Sequence, residues 1–72
     1  MKSANDNAPA LISLNAAAAM TSMSRTMLNR YRAEGRFPVH VDLGDRRIAF
    51  VRAEVEAWIR RKIDARSSAQ AA

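Results

Sequence analysis

Cysteine is absent from the 72 residues, and histidine occurs once. The first absence excludes a disulfide framework and a thiolate metal site. The second leaves too few imidazoles for a zinc cluster, so neither a metal nor a cofactor is expected. No apolar run reaches membrane-spanning length, and Lys2 is followed by polar residues rather than by an apolar leader segment. A cytoplasmic protein without a membrane partner is the expectation. There is no glycine-rich phosphate loop, and no motif makes a nucleophile of Ser24 or His40. Glu54 and Glu56 stand two apart on an expected helix and so diverge rather than converge. The expectation is therefore a protein that is not an enzyme. The length allows one small domain, whose core has little stability in reserve.

The chain has charge of one sign in excess. Twelve Lys and Arg face seven Asp and Glu for a formal charge of +5, and ten of the twelve are Arg. Arginine makes bidentate contacts to phosphate and guanine that lysine cannot. A small basic domain of this kind is expected to seek a polyanion, although a positive charge also serves solubility alone.

One stretch organises the rest. From Met23 to Pro38 the residues spell a short helix with a start at Ser24, a suitable N-cap, and a stop at Gly35 before Pro38. Leu28 and Tyr31 fall on one side, suited to a core. Arg25, Thr26, Asn29 and Arg30 fall at i, i+1, i+4 and i+5 and share another, with no carboxylate among them. Long donors, a hydroxyl and an amide suit phosphates and base edges in a DNA major groove. The same face would also serve as the solvated side of an amphipathic helix.

Around this stretch the chain reads in order. Residues 1–10 are a polar, disordered lead-in. Leu11 to Leu14 are apolar but for Ser13, and Asn15 is placed to cap a short helix through Ala16–Met20. The three residues Thr21 to Met23 then make a helix-turn-helix with the next helix, Ser22 standing where glycine is common. Val39, Val41 and Leu43 alternate, as do Ile48 and Phe50, about a turn at Gly44–Arg47. That is a β-hairpin with apolar residues inward and Arg46 and Arg47 at its tip, positioned to reach a phosphate backbone or a minor groove, or else simply solvated. His40 reads as a strand-face residue. Val55, Trp58, Ile59 and Ile63 form the core stripe of a last helix, with Trp58 expected at the core's centre. Glu56 and Arg60 are expected to pair at i, i+4, and the cations Arg60, Arg61, Lys62 and Arg66 either satisfy the helix's carboxyl end or touch phosphate. Residues 66–72 are expected to be a flexible tail. The fold class is mainly α with a small β-hairpin, a winged helix-turn-helix in a single domain over residues 11–65.

The blocks Met23-Ser24-Arg25-Thr26, Glu34-Gly35-Arg36-Phe37-Pro38, Val41-Asp42-Leu43-Gly44, Arg47-Ile48-Ala49-Phe50 and Glu54-Val55-Glu56-Ala57-Trp58, in this order and separation, resemble the AlpA family of phage-type regulators. Those in turn are similar to the MerR-like winged helix-turn-helix of excisionases. The resemblance runs from about Leu11 to Ala65. It implies a second helix in the major groove and a hairpin wing on the backbone or minor groove. It implies a partner in double-stranded DNA, with Ser24, Arg25, Thr26, Asn29, Arg30, Arg46 and Arg47 as the contacting residues. It further implies a protein of a prophage or integrative element, acting either as an excisionase (a recombination directionality factor that bends attachment-site DNA and directs a tyrosine integrase towards excision) or as a transcriptional regulator. Self-association on DNA, through the last helix or the tails, belongs to the first role. This chain departs from the family at Met27, where a small polar residue is usual, and at Asn29, where an aromatic is common, so a target sequence is not inherited. Phe50 replaces a tryptophan, and Ala53 a capping serine. A third reading, a protein-interaction module, would need an acidic or apolar face where arginines are expected.

Overall fold

Two serines set the starts of the first two helices. The computed structural model describes residues 10–71, with side chains through residue 66. Of the expected lead-in, residues 1–9 lie outside the described residues. Ser13 has extended backbone, and its Oγ accepts a hydrogen bond from the Ala16 amide at 3.0 Å, opening α1, Leu14–Thr21. Ser24 does the same for α2, Arg25–Ala33, accepting from the Met27 amide at 3.0 Å. The expected cap at Asn15 is thus displaced: Asn15 already lies inside the first turn, and Ser13 precedes it.

Both helices end in the same way. After α2, Gly35 is left-handed at φ 72°, its amide donates to the Arg32 carbonyl, and the Arg36 amide donates to the Tyr31 carbonyl. After α1, Ser22 is left-handed at φ 60°, its amide donates to Ala19, and the Met23 amide donates to Ala18. This is the paired-bond helix stop for which glycine is favoured, because a Cβ there crowds the following carbonyl. The turn between α1 and α2 therefore carries a strained serine. Ser22→Gly is expected to raise stability by about 1 kcal/mol, read as a higher urea midpoint at unchanged slope.

The remaining elements are β1 (Leu11–Ile12), β2 (Val41–Gly44), β3 (Arg47–Val51) and α3 (Arg52–Ala71). The three strands form an antiparallel sheet in the order β1-β3-β2, with Leu11 opposite Val51 and Ile12 opposite Phe50. The Leu11–Ile12 segment, expected only as an apolar lead into the first helix, is therefore a sheet strand. The helices cover the central strand β3, and β2 lies beyond it at the edge. This explains why the expected inward alternation fails on β2. Val39 is 80% exposed, Leu43 50% exposed, and only Val41 is half-buried. The strand begins at Val41, leaving Val39 and His40 before it, and its register shifts between Asp42 and Gly44.

The core consists of Ala17 and Ala18 from α1, Leu28 from α2, Phe37, Phe50 from β3 and Val55 from α3. Leu28, Phe50 and Val55 are fully buried. Trp58 is half-buried at the rim instead of central. Its ring meets Phe37 edge-on at 5.1 Å and Tyr31 at 6.1 Å, and its Nε1 donates to the Arg36 carbonyl at 2.8 Å.

Helix α3 follows β3 with no loop. The amide of Arg52 donates to the carbonyl of Ala10, the residue before β1, at 2.8 Å, which satisfies one of the free donors at the helix start, ahead of Ala53. The helix does not stop near Ala65, where a flexible tail was expected to begin, but runs to Ala71. No Gly or Pro follows Asp64, and the alanines there favour helix. Its apolar stripe outruns the core: Val55 is buried, Ile59 half-buried, and Ile63 46% exposed. Glu56 approaches Arg52, Nε to Oε2 3.7 Å, in place of the expected Arg60.

Candidate nucleic-acid interface

Helix α2 is fixed on one side by Leu28 in the core and by half-buried Tyr31. Its N-terminus is fixed by Ser24. The turn this creates leaves Ser24, Arg25, Thr26, Asn29 and Arg30 all exposed, with Met27 beside them at 40% exposure. The Ser24 hydroxyl accepts within the cap, so its own proton remains able to donate outward.

Two of these side chains are held by neighbours that the sequence pattern did not single out. Asn29 Oδ1 accepts from Arg32 Nη1 at 2.6 Å, which leaves the NH₂ of this exposed side chain able to donate. Arg32 itself is half-buried, with its guanidinium 5.8 Å from the centre of the Phe50 ring and Nη2 3.4 Å from His40 Nδ1. Arg32 is thus a positioning residue for Asn29, legible in the i, i+3 spacing but masked among so many arginines. Glu34 is the second. Its Oε2 lies 3.4 Å from Arg30 Nε, and its Oε1 accepts from Arg36 Nη1 at 2.9 Å. The carboxylate-free face therefore has a carboxylate at its C-terminal edge, one turn on from Arg30. Hydrogen bonds from Arg36 and then Arg30 hold the Glu34 carboxyl below its ordinary pKa, and the Arg36 guanidinium is raised in return. Glu34 consequently stays ionised as pH falls into the acid range and releases both arginines only below its ordinary titration. All three groups are exposed, so water and salt screen the pairing. Arg36 also lies over the Tyr31 ring, 4.2 Å from its centre.

The hairpin tip is the second cationic element. Asp45 and Arg46 form a two-residue turn with φ of 54° and 63°, between Gly44 and Arg47. The Gly44 amide donates to Asp42 Oδ1 at 2.9 Å, stiffening the approach to the turn. Both central positions being left-handed is the hairpin turn for which Asn-Gly or Asp-Gly is the favoured pair. Asp45 fits that preference, and Arg46 occupies the place of the glycine. Arg46 and Arg47 are exposed. Asn29 and Arg32 share a surface cleft with Pro38, Val39 and His40, so the C-terminal half of α2 borders the segment that leads into the hairpin.

The cations of α3, Arg60, Arg61, Lys62 and Arg66, are exposed, with Lys62 Nζ 5.2 Å from the Trp58 ring centre. Among the described residues no three His, Cys, Asp or Glu side chains are grouped to hold a metal ion, and no helix is long and apolar enough to cross a membrane.

A protein-family model described as "Prophage CP4-57 regulatory protein (AlpA)" matches residues 10–63. The match takes in every strand, α1, α2 and α3 as far as Ile63. No curated protein and no solved structure matches the chain.

Proposed function

The chain belongs to the AlpA family of prophage regulatory proteins, and from that premise we propose that it is a non-catalytic, sequence-specific DNA-binding protein. Helix α2 lies in a major groove with Arg25, Thr26, Asn29 and Arg30 towards the bases and Ser24 on phosphate. The hairpin sets Arg46 and Arg47 on the flanking backbone or minor groove. The observation that carries this reading is Arg46. A residue other than glycine in its left-handed conformation costs about 1 kcal/mol, and a small domain has little to spare. An exposed arginine kept there, at the tip of an edge hairpin, suits a contact with something outside the molecule.

In its finer form the protein is an excisionase-like architectural factor. Several copies bind adjacent sites near an attachment core, bend the DNA and help an integrase assemble for excision. One domain of this size makes few base contacts, so neighbouring copies raise affinity through effective concentration. The second reading, transcriptional regulation at a promoter of the element, is favoured by the family's description as regulatory.

Footprinting at physiological salt on the attachment region and on the integrase promoter separates the two. Stepwise protection of repeated sites beside the attachment core is the expected result. Protection confined to the promoter selects the regulator, and uniform, salt-sensitive binding to any DNA removes specific recognition altogether. Arg46→Gly is expected to raise stability by about 1 kcal/mol, read as a higher unfolding midpoint. The same change should weaken binding evenly across sequences and lower the salt slope by about 1. Thermal melts and salt titrations of the same variant read both effects.

A further inference from the structure

The outer part of α3 carries a pattern that the fold uses only in part, through Ile59 at the edge of the core. Glu56, Ile59, Ile63 and Arg66 follow one another at intervals of three, four and three residues, which puts them on a single stripe of the helix. Ile63 is 46% exposed, the Glu56 side chain 60% exposed, and Arg66 is exposed. Glu56, Ile59 and Ile63, with Arg60, line one shallow groove. The spacing of the stripe is symmetric about its midpoint, with an acid at one end, a base at the other and isoleucines between. A second copy laid antiparallel along it therefore meets opposite charges and apolar partners at once.

We propose that α3 pairs antiparallel with α3 of a second copy of this chain. Glu56 lies opposite Arg66 of the second copy, and Ile59 opposite its Ile63, with each contact repeated by the two-fold axis. The Glu56–Arg52 approach within one chain is long and exposed, so it gives way readily to the new partner. The charge complementarity selects this occupant. A chain of net charge +5 repels its own copies in most orientations, and this register sets an acid against a base at both ends of the apolar pair. The area is small, so the dimer is weak in free solution and becomes populated when DNA holds two copies close. The inference gives the self-association of the reading above a definite surface and a two-fold layout, which corresponds to inverted half-sites on the DNA. The pairing itself stands apart from whether DNA is bound.

The test is sedimentation of the purified full chain at low salt and millimolar concentration. Wild type, E56R, R66E, an equimolar mixture of E56R with R66E, and the double variant E56R/R66E are compared. Each single variant alone is expected to lose about tenfold in association, because like charges then meet at both ends. The mixture and the double variant restore opposite pairs and are expected to associate as wild type does. R66E is the telling case, since it lowers the net charge and thus the general repulsion, yet loses the dimer. In a chain without cysteine, I59C mixed with I63C is expected to form the mixed disulfide faster than either variant forms its own. Wild type that stays monomeric throughout, single variants that associate as wild type does, or homodisulfides that outpace the mixed one would each overturn the proposal. The DNA-binding reading is judged separately, by the affinity for a single short duplex of E56R/R66E, whose net charge equals that of wild type and whose affinity is expected to be unchanged.

Discussion

Phe50→Ala is expected to leave no folded domain at room temperature. Phe50 is fully buried on the central strand, opposite Ile12 of β1 and edge-on to Phe37 at 5.3 Å, with the Arg32 guanidinium near its ring. Truncating a buried phenylalanine costs about 3–5 kcal/mol. A domain of this length has a stability of similar size, and among the described residues only six other hydrophobic residues are buried with it. The same change at Trp58 removes a larger side chain but a half-buried one, whose place is the rim between Tyr31 and Phe37. Trp58→Ala is accordingly expected to lower the unfolding midpoint without abolishing the helical signal. Far-UV circular dichroism with urea titration of the two variants checks the order. A folded Phe50→Ala beside an unfolded Trp58→Ala would mean that the core is centred elsewhere.

The second large effect concerns DNA. Arg30→Ala is expected to cost about 1–3 kcal/mol on the specific site, a loss of roughly five- to 150-fold, if its guanidinium reads a base edge. On random duplex the loss should be only that of one phosphate-attracting charge. Glu34 tightens this test. It sits one turn on from Arg30, and the 3.4 Å pairing turns the guanidinium along the helix in the free protein. Binding must therefore exchange an exposed carboxylate for a base, a small cost at an exposed pair. Competition titrations with specific and random duplexes measure the difference. Equal losses on both would reduce Arg30 to a phosphate contact.

Much of this molecule is legible in its sequence where local chemistry decides. Ser24 and Gly35 mark α2 because capping and the left-handed stop are properties of single residues. The hairpin turn is legible from Gly44 to Arg47, and the family resemblance from blocks that recur in order. The losses occur where neighbours decide. Val39 and Leu43 alternate like core residues, yet β2 is an edge strand that the helices do not cover. Leu11–Ile12 is too short to declare itself a strand without knowledge of Phe50 and Val51 across from it. Trp58 drew attention by its size, whereas burial followed position, and Phe50 took the centre. At the site, residue types and spacing give the exposed face of α2. They do not give the roles of Arg32 and Glu34, which come from side chains choosing among several arginines within reach.

Amide chemical-shift mapping of the labelled protein, titrated with a duplex carrying its protected site, tests most directly which surface meets DNA. The account predicts the largest changes at Ser24 to Arg30 and at Gly44 to Arg47, with the amides of β1 and the buried face of α1 still. Changes confined to the basic part of α3, with α2 and the hairpin tip unmoved, would contradict it.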